Sequence, residues 1–101
     1  MEKRKEIIWT EPAVNDLREI YNYFSSRSVS AANRLIDKLV RAPEVIAFSG
    51  FFEAFVNDEY NPNYKRLVIG NYKILLTIRL GKIVIHRIFD TRQNPVKLKK
   101  L

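Results

Sequence analysis

The last third of this 101-residue chain carries the side chains with the most chemistry in them. Lys65, Arg66, Arg79, Arg87 and Arg92 supply positive charge, and His86 and Asp90 can take up or release a proton. Cleavage of an RNA strand through its own 2'-hydroxyl asks for those roles: a base for the hydroxyl, cations around the crowded phosphate, and an acid for the leaving oxygen. Under that chemistry Arg66, His86, Arg87 and Arg92 are the catalytic candidates. Each group also has a plainer role. A strand histidine such as His86 is more often a satisfied structural residue than a catalyst. Arg66 and Arg87 can be solvated cross-strand charges paired with Glu53 or Asp58, and such exposed pairs contribute about 0.2–1 kcal/mol. Asp90 can anchor a turn through its carboxylate. Arg92 is the strongest functional candidate, because it follows a strand end in a turn, where side chains reach partners.

The strands that position these residues are legible from Tyr64 to Pro95, YKRLVIGNYKILLTIRLGKIVIHRIFDTRQNP. Turn signals at Gly70-Asn71 and Gly81 divide it into Lys65 to Ile69, Tyr72 to Leu80 and Ile83 to Phe89, an antiparallel meander. In the middle strand Tyr72, Ile74, Leu76, Ile78 and Leu80 share one face; Lys73, Leu75, Thr77 and Arg79 share the other. Alternation in the last strand sets Val84, His86 and Ile88 against Ile83, Ile85, Arg87 and Phe89, so either face carries a polar side chain among apolar ones. Burying a neutral imidazole costs less than burying an unpaired guanidinium. That places His86 under the helices and Arg87 outside, beside an apolar patch of Ile83, Ile85 and Phe89 on the open side of the sheet, the kind of patch that marks a partner surface. The opposite parity exchanges the two faces. With Lys65, Arg66, Arg79 and Arg92, these residues form the expected partner-binding set.

Upstream, Lys5 to Trp9 predicts a short strand running into a helix that Thr10 caps and Glu11 and Pro12 begin. Ala13, Leu17, Ile20, Tyr21 and Phe24 recur at helical spacing over roughly four turns. After a polar break, Ser28 or Ser30 caps a second helix carrying Ala32, Leu35, Ile36, Leu39 and Val40, so the two helices form an antiparallel hairpin. Pro43 should kink or restart that helix, which ends near Ser49-Gly50. Phe51 to Asn63 reads as a short strand or turn followed by a loop. Asn94-Pro95 ends the meander, and Val96 to Leu101 is a basic tail with room for one helical turn. The expected architecture is one α+β domain over residues 1–101, an N-terminal strand and a helical hairpin packed on one face of a small twisted sheet.

Composition narrows the function classes. A net charge of +7, from 18 basic and 11 acidic residues, points to polyanionic or acidic partners. The lack of cysteine and the single histidine exclude a disulfide framework and the usual zinc sites, and no metal or cofactor is expected. MEKRKEIIWT has too short an apolar run for a signal peptide or a membrane span, so the expected location is the cytoplasm, with no membrane partner.

The ordered segments IIWTEPAVNDLREIYNYF (Ile7 to Phe24), the Ala32 to Leu39 helix, KRLVIGNYKILLTI (Lys65 to Ile78) and IVIHRIFDTRQNP (Ile83 to Pro95) together resemble the RelE/ParE toxin superfamily of type II toxin-antitoxin systems. The resemblance implies a cytosolic bacterial or archaeal toxin, held inactive in a hetero-oligomer by a cognate acidic antitoxin whose C-terminal segment wraps it. Members of the superfamily divide into ribosome-dependent messenger RNA endonucleases and gyrase-directed toxins, and some have lost toxicity. In the nucleases an arginine stands where this chain has Val68, and a tyrosine or histidine commonly lies near the C-terminus, whereas nothing after Arg92 is aromatic here. Arg92, five residues beyond Arg87, is what matches that catalytic region. KRLVIGNYKIL is closer to the ParE-like branch, which implies stoichiometric inhibition of DNA gyrase or a similar partner. The alternatives are a ribosome-dependent endonuclease acting on messenger RNA and a non-toxic antitoxin- or nucleic-acid-binding module of the same fold.

Overall fold

Thr10 joins the first strand to the first helix and ties both to the far end of the chain. A computed structural model describes residues 6–50, 52–93 and 97. In it β1 (Glu6–Trp9) passes directly into α1 (Glu11–Ser25). The Thr10 hydroxyl accepts from the Ala13 N–H at 3.4 Å as the helix cap and donates to the Ile85 carbonyl at 2.8 Å. After Ser26, Arg27 and Ser28, α2 (Val29–Ser49) returns against α1, capped by Ser28, whose hydroxyl accepts from the Ala31 N–H at 3.2 Å. Gly50 ends α2 with φ +78°, a left-handed conformation that favours glycine. Of the two outcomes expected at Pro43, a kink or a restart, the restart does not occur: α2 runs through the proline as one helix. The proline forfeits the hydrogen bond to the Leu39 carbonyl, yet Leu39, Pro43 and Ala47 lie one turn apart and are all buried, so packing outweighs the lost bond.

A 3-10 turn (Phe52–Ala54) leads into the two-residue strand β2 (Val56–Asn57), followed by β3 (Lys65–Ile69), β4 (Tyr72–Arg79) and β5 (Lys82–Asp90). The expected three-stranded meander is present, and β1 and β2 extend it to five strands in the order β1-β5-β4-β3-β2. β1 pairs with β5 in parallel at one edge of the sheet, and the helical hairpin carries the chain across to β2 at the other edge. No helix among the described residues is long and apolar enough to cross a membrane. Lys5 and all of the Val96 to Leu101 tail except Lys97 lie outside the described residues.

Both helices cover one face of the sheet. Ala13, Leu39 and Ala47 pack against Ile74, Leu76, Ile83, Ile85 and Ile88, with Trp9, Leu17, Ile20 and Leu67 around them. Two face assignments differ from the sequence reading. Leu80 is not in the core face: β4 ends at Arg79, and Leu80 stands 93% exposed at φ +51° in the turn with Gly81. The larger correction concerns β5. Leu76 lies opposite Ile85, but its neighbour Leu75 lies opposite Arg87, so His86 is the extra residue of a β-bulge. The bulge reverses the parity of the strand halfway along. Ile83 and Ile85 before it, and Ile88 after it, therefore all face the helices, and His86 faces away from them.

Candidate functional site

The face of the sheet away from the helices is not open. The loop between β2 and β3 crosses it, and Lys73 on β4 holds that loop down. Asp58, whose side chain is wholly buried, accepts from Lys73 Nζ at 2.5 Å and from the backbone N–H groups of Tyr60 at 3.0 Å and Asn61 at 2.8 Å. The ammonium of Lys73 also sits 5.1 Å from the centre of the Tyr60 ring. Burial alone would raise the Asp58 carboxyl; the Lys73 hydrogen bond, the two backbone donors and the Lys73 charge outweigh it and hold the group below the usual carboxylate range. Leu75 and Lys73 are buried beneath this cover, although alternation alone assigns them to a wetter face.

His86 belongs to the same layer. Its Nε2 lies 2.9 Å from the Thr77 hydroxyl, and its ring meets Tyr64 edge-on at 5.0 Å. Burial lowers its pKa from the ordinary 6.5, so the imidazole is neutral at physiological pH. Arg66, on β3, points toward the loop carboxylates, with Nε 4.0 Å from Asp58 and Nη2 3.9 Å from Glu59. Its Nε has no hydrogen-bond partner, so these contacts are coulombic only. The side chain of Glu53, the other carboxylate expected near the arginines, lies outside the described ones.

Beyond the bulge the free edge of β5 meets α1. Arg87 is paired neither with Glu53 nor with Asp58, and it does not stand open beside an apolar patch. Its Nε and Nη2 donate to Asp16 of α1 at 2.8 and 3.1 Å, and the same carboxylate accepts from the Ile88 N–H at 2.9 Å. This pairing raises the Arg87 pKa further and keeps the guanidinium charged. At the strand end Asp90 anchors the turn as expected, accepting from the Arg92 N–H at 2.9 Å. It also accepts from Arg92 Nε and Nη2 at 2.9 and 2.8 Å. Hydrogen bonding from Arg92 holds the Asp90 carboxyl low, and burial raises the phenol of neighbouring Tyr72.

The candidates thus separate into distinct places. Arg87 and Arg92 share a polar cleft of about 470 Å³ with Asp16, Glu19, Tyr23, Asp90 and Gln93. Its charged lining is two guanidiniums against three carboxylates. His86 and Arg66 lie instead under and beside the β2–β3 loop. Lys65, on β3, reaches Asn57 at 3.3 Å. Arg79 sits at the opposite end of β4 beside Lys82, seven residues and about 23 Å of strand from the Tyr72 end. Ile83 and Ile85, expected in a surface patch, have no exposed area at all. Phe89 does lie on the outer face, opposite Lys73, half-buried.

Two participants escaped the sequence reading. Asp16 is three residues after Ala13 and four before Ile20, so it falls on the buried stripe of α1, a position where a carboxylate needs a partner. Lys73 likewise stands directly before the apolar run Ile74, Leu75 and Leu76 of β4, and the acidic loop after Val56 is a segment near enough in sequence to neutralise it.

Comparison with known proteins places this geometry. The family model for the ParE toxin of the type II toxin-antitoxin system, parDE, matches residues 7–95. No curated protein sequence matches the chain. Among solved structures, a chain of the chromosomal ParDE toxin-antitoxin system from P. aeruginosa is similar, with a TM-score of 0.72 and 19% identity, over 85% of this chain and 95% of that one.

Proposed function

Because the chain belongs to the ParE toxin family of type II toxin-antitoxin systems, we propose that it inhibits growth by stoichiometric binding to a cytoplasmic target, DNA gyrase or a comparable partner, and that a cognate acidic antitoxin neutralises it. The observation carrying this reading is the dispersal of the residues that a nuclease would need. His86 is neutral, bonded to Thr77 and packed on Tyr64. Arg87 and Arg92 are each held by a carboxylate in a cleft whose lining is net acidic. A cleft of that charge is poorly suited to a phosphate, whose transition state needs surplus positive charge. Binding of a protein target needs only a surface. The net charge of +7 favours an acidic antitoxin.

The test is induction of the chain alone and together with the neighbouring gene. Growth arrest relieved by the neighbour, with intact messages by primer extension and inhibition of purified gyrase at near-equimolar toxin, is the expected result. Codon-phased cleavage of translated messages would establish the endonuclease instead. Normal growth despite tight partner binding would establish a non-toxic module of the same fold.

A further inference from the structure

Arg79 and Lys82 are paired across a two-residue loop, so Leu80 and Gly81 are the central positions of the β4–β5 turn, with φ of +51° and +78°. A loop with two positive φ angles calls for Asn-Gly or Asp-Gly, because in the left-handed region an ordinary Cβ crowds the following carbonyl oxygen. The sheet's other two-residue turn obeys that rule, placing Gly70 at its positive-φ position. Leu80 is the one non-glycine residue with positive φ among the described residues. At 93% exposure it makes almost no contact that could offset the strain. An exposed leucine alone needs no explanation, but one held in a strained backbone marks a functional position.

Two exposed cations flank it. Arg79 and Lys82 lie directly opposite each other, so their side chains share a face of the sheet. That face is the outer one, because their neighbours Ile78 and Ile83 turn toward the helices. Like charges placed so destabilise the pair, and neither has a carboxylate partner among the described residues. Even Glu6, across from Lys82 in the β1–β5 register, forms no ion pair with it. We infer that Leu80 is the knob by which this chain engages the protein it inhibits, inserting into an apolar pocket whose rim carries carboxylates for Arg79 and Lys82. The inference rests on the stoichiometric inhibition proposed above. A leucine wedged between DNA base steps would be served by cations on both sides, toward both strands; here both lie to one side, which suits a protein pocket.

The test measures binding of the full-length toxin to purified gyrase by calorimetry at low and moderate salt, alongside thermal melts. Leu80→Asn restores the turn's preferred residue, so it is expected to melt a few degrees above wild type and yet to bind gyrase at least tenfold more weakly. Leu80→Met, which keeps an apolar knob, is expected to bind within threefold of wild type. Arg79→Glu combined with Lys82→Glu is expected to lose at least tenfold and to flatten the salt dependence. All three should still bind the protein encoded by the adjacent reading frame within twofold of wild type. Gyrase affinity of Leu80→Asn within twofold of wild type would overturn the knob while leaving the inhibition reading intact, as would equal losses toward the neighbour's protein. Binding of the wild type to a short DNA duplex that Leu80→Asn abolishes would assign the tip to nucleic acid and overturn the inference. Failure of the wild type to bind or inhibit gyrase would overturn the gyrase reading and the knob with it.

Discussion

Replacing Lys73 by methionine keeps the length and apolar stem of the side chain and removes its charge. Asp58 then keeps the backbone donors of Tyr60 and Asn61 but loses the ammonium 2.5 Å away. Its side chain has no exposure to water, and that of Lys73 is only 8% exposed. Breaking a buried ion pair from one side costs about 3–5 kcal/mol, because the remaining charge is stranded. The two surviving N–H donors and the coulombic contact with Arg66 put the expected loss near the lower end, about 3 kcal/mol. For a domain this size that lowers Tm by roughly 12–24 °C. Urea unfolding followed by circular dichroism measures it. Asp58→Asn combined with Lys73→Met removes both charges, so the double variant should be distinctly more stable than the sum of the single losses implies.

The pH dependence carries the same signature. In the wild type the folded carboxyl of Asp58 titrates below its unfolded value of about 3.9; its stabilisation is therefore present above that pH and is lost as pH falls through the lower, folded value. In Lys73→Met burial is opposed only by the backbone donors and distant charge, so the carboxyl rises. The deficit of the variant should then be largest at neutral pH and shrink in acid, where protonation removes the stranded charge. A Lys73→Met loss under 1 kcal/mol, or additivity of the two substitutions within about 0.5 kcal/mol, would refute the buried-pair account of how the loop is held on the sheet.

Other substitutions separate structure from function. Arg92→Ala should abolish growth arrest with Tm changed by only a few degrees, since the side chain is 59% exposed and its carboxylate partner is two residues away; a large fall in Tm would make Arg92 structural. Asp16→Ala strips three hydrogen bonds from Arg87 and the Ile88 N–H and should cost about 2 kcal/mol in denaturant unfolding. Because the folded pKa of His86 lies below its unfolded value of 6.5, the unfolded chain binds more protons as pH drops below 6.5 and stability should fall there. His86→Gln should remove that component from melts compared at pH 7.5 and 5.5.

Element order and boundaries were legible because capping, turn chemistry and apolar spacing agreed: Thr10 and Ser28 cap the helices, Gly50 ends the second, and Gly70-Asn71 and Gly81 make the turns. The open-face patch was not, and the reason lies in one residue. Strict alternation in IVIHRIFD offers two faces, each with a polar side chain among isoleucines, and choosing between them by the cost of burial sent Ile83 and Ile85 to the wrong side. That dilemma was itself the signal. A strand whose every parity buries something polar is better read with an extra residue in it: one added at His86 lets Ile83, Ile85 and Ile88 all face the helices. It also puts the imidazole among Thr77 and Tyr64 and turns Arg87 toward the sheet edge, where a carboxylate on the buried stripe of α1 waits for a cation. Asp16 and the His86-Arg87 step are thus two halves of one requirement, visible at opposite ends of the sequence but joined only by the parallel pairing of β1 with β5, which local patterns do not encode. The same bulge leaves the strand end beyond it to Asp90 and the turn to Arg92, so the position of the strongest functional candidate depends on a register shift made six residues earlier in the chain.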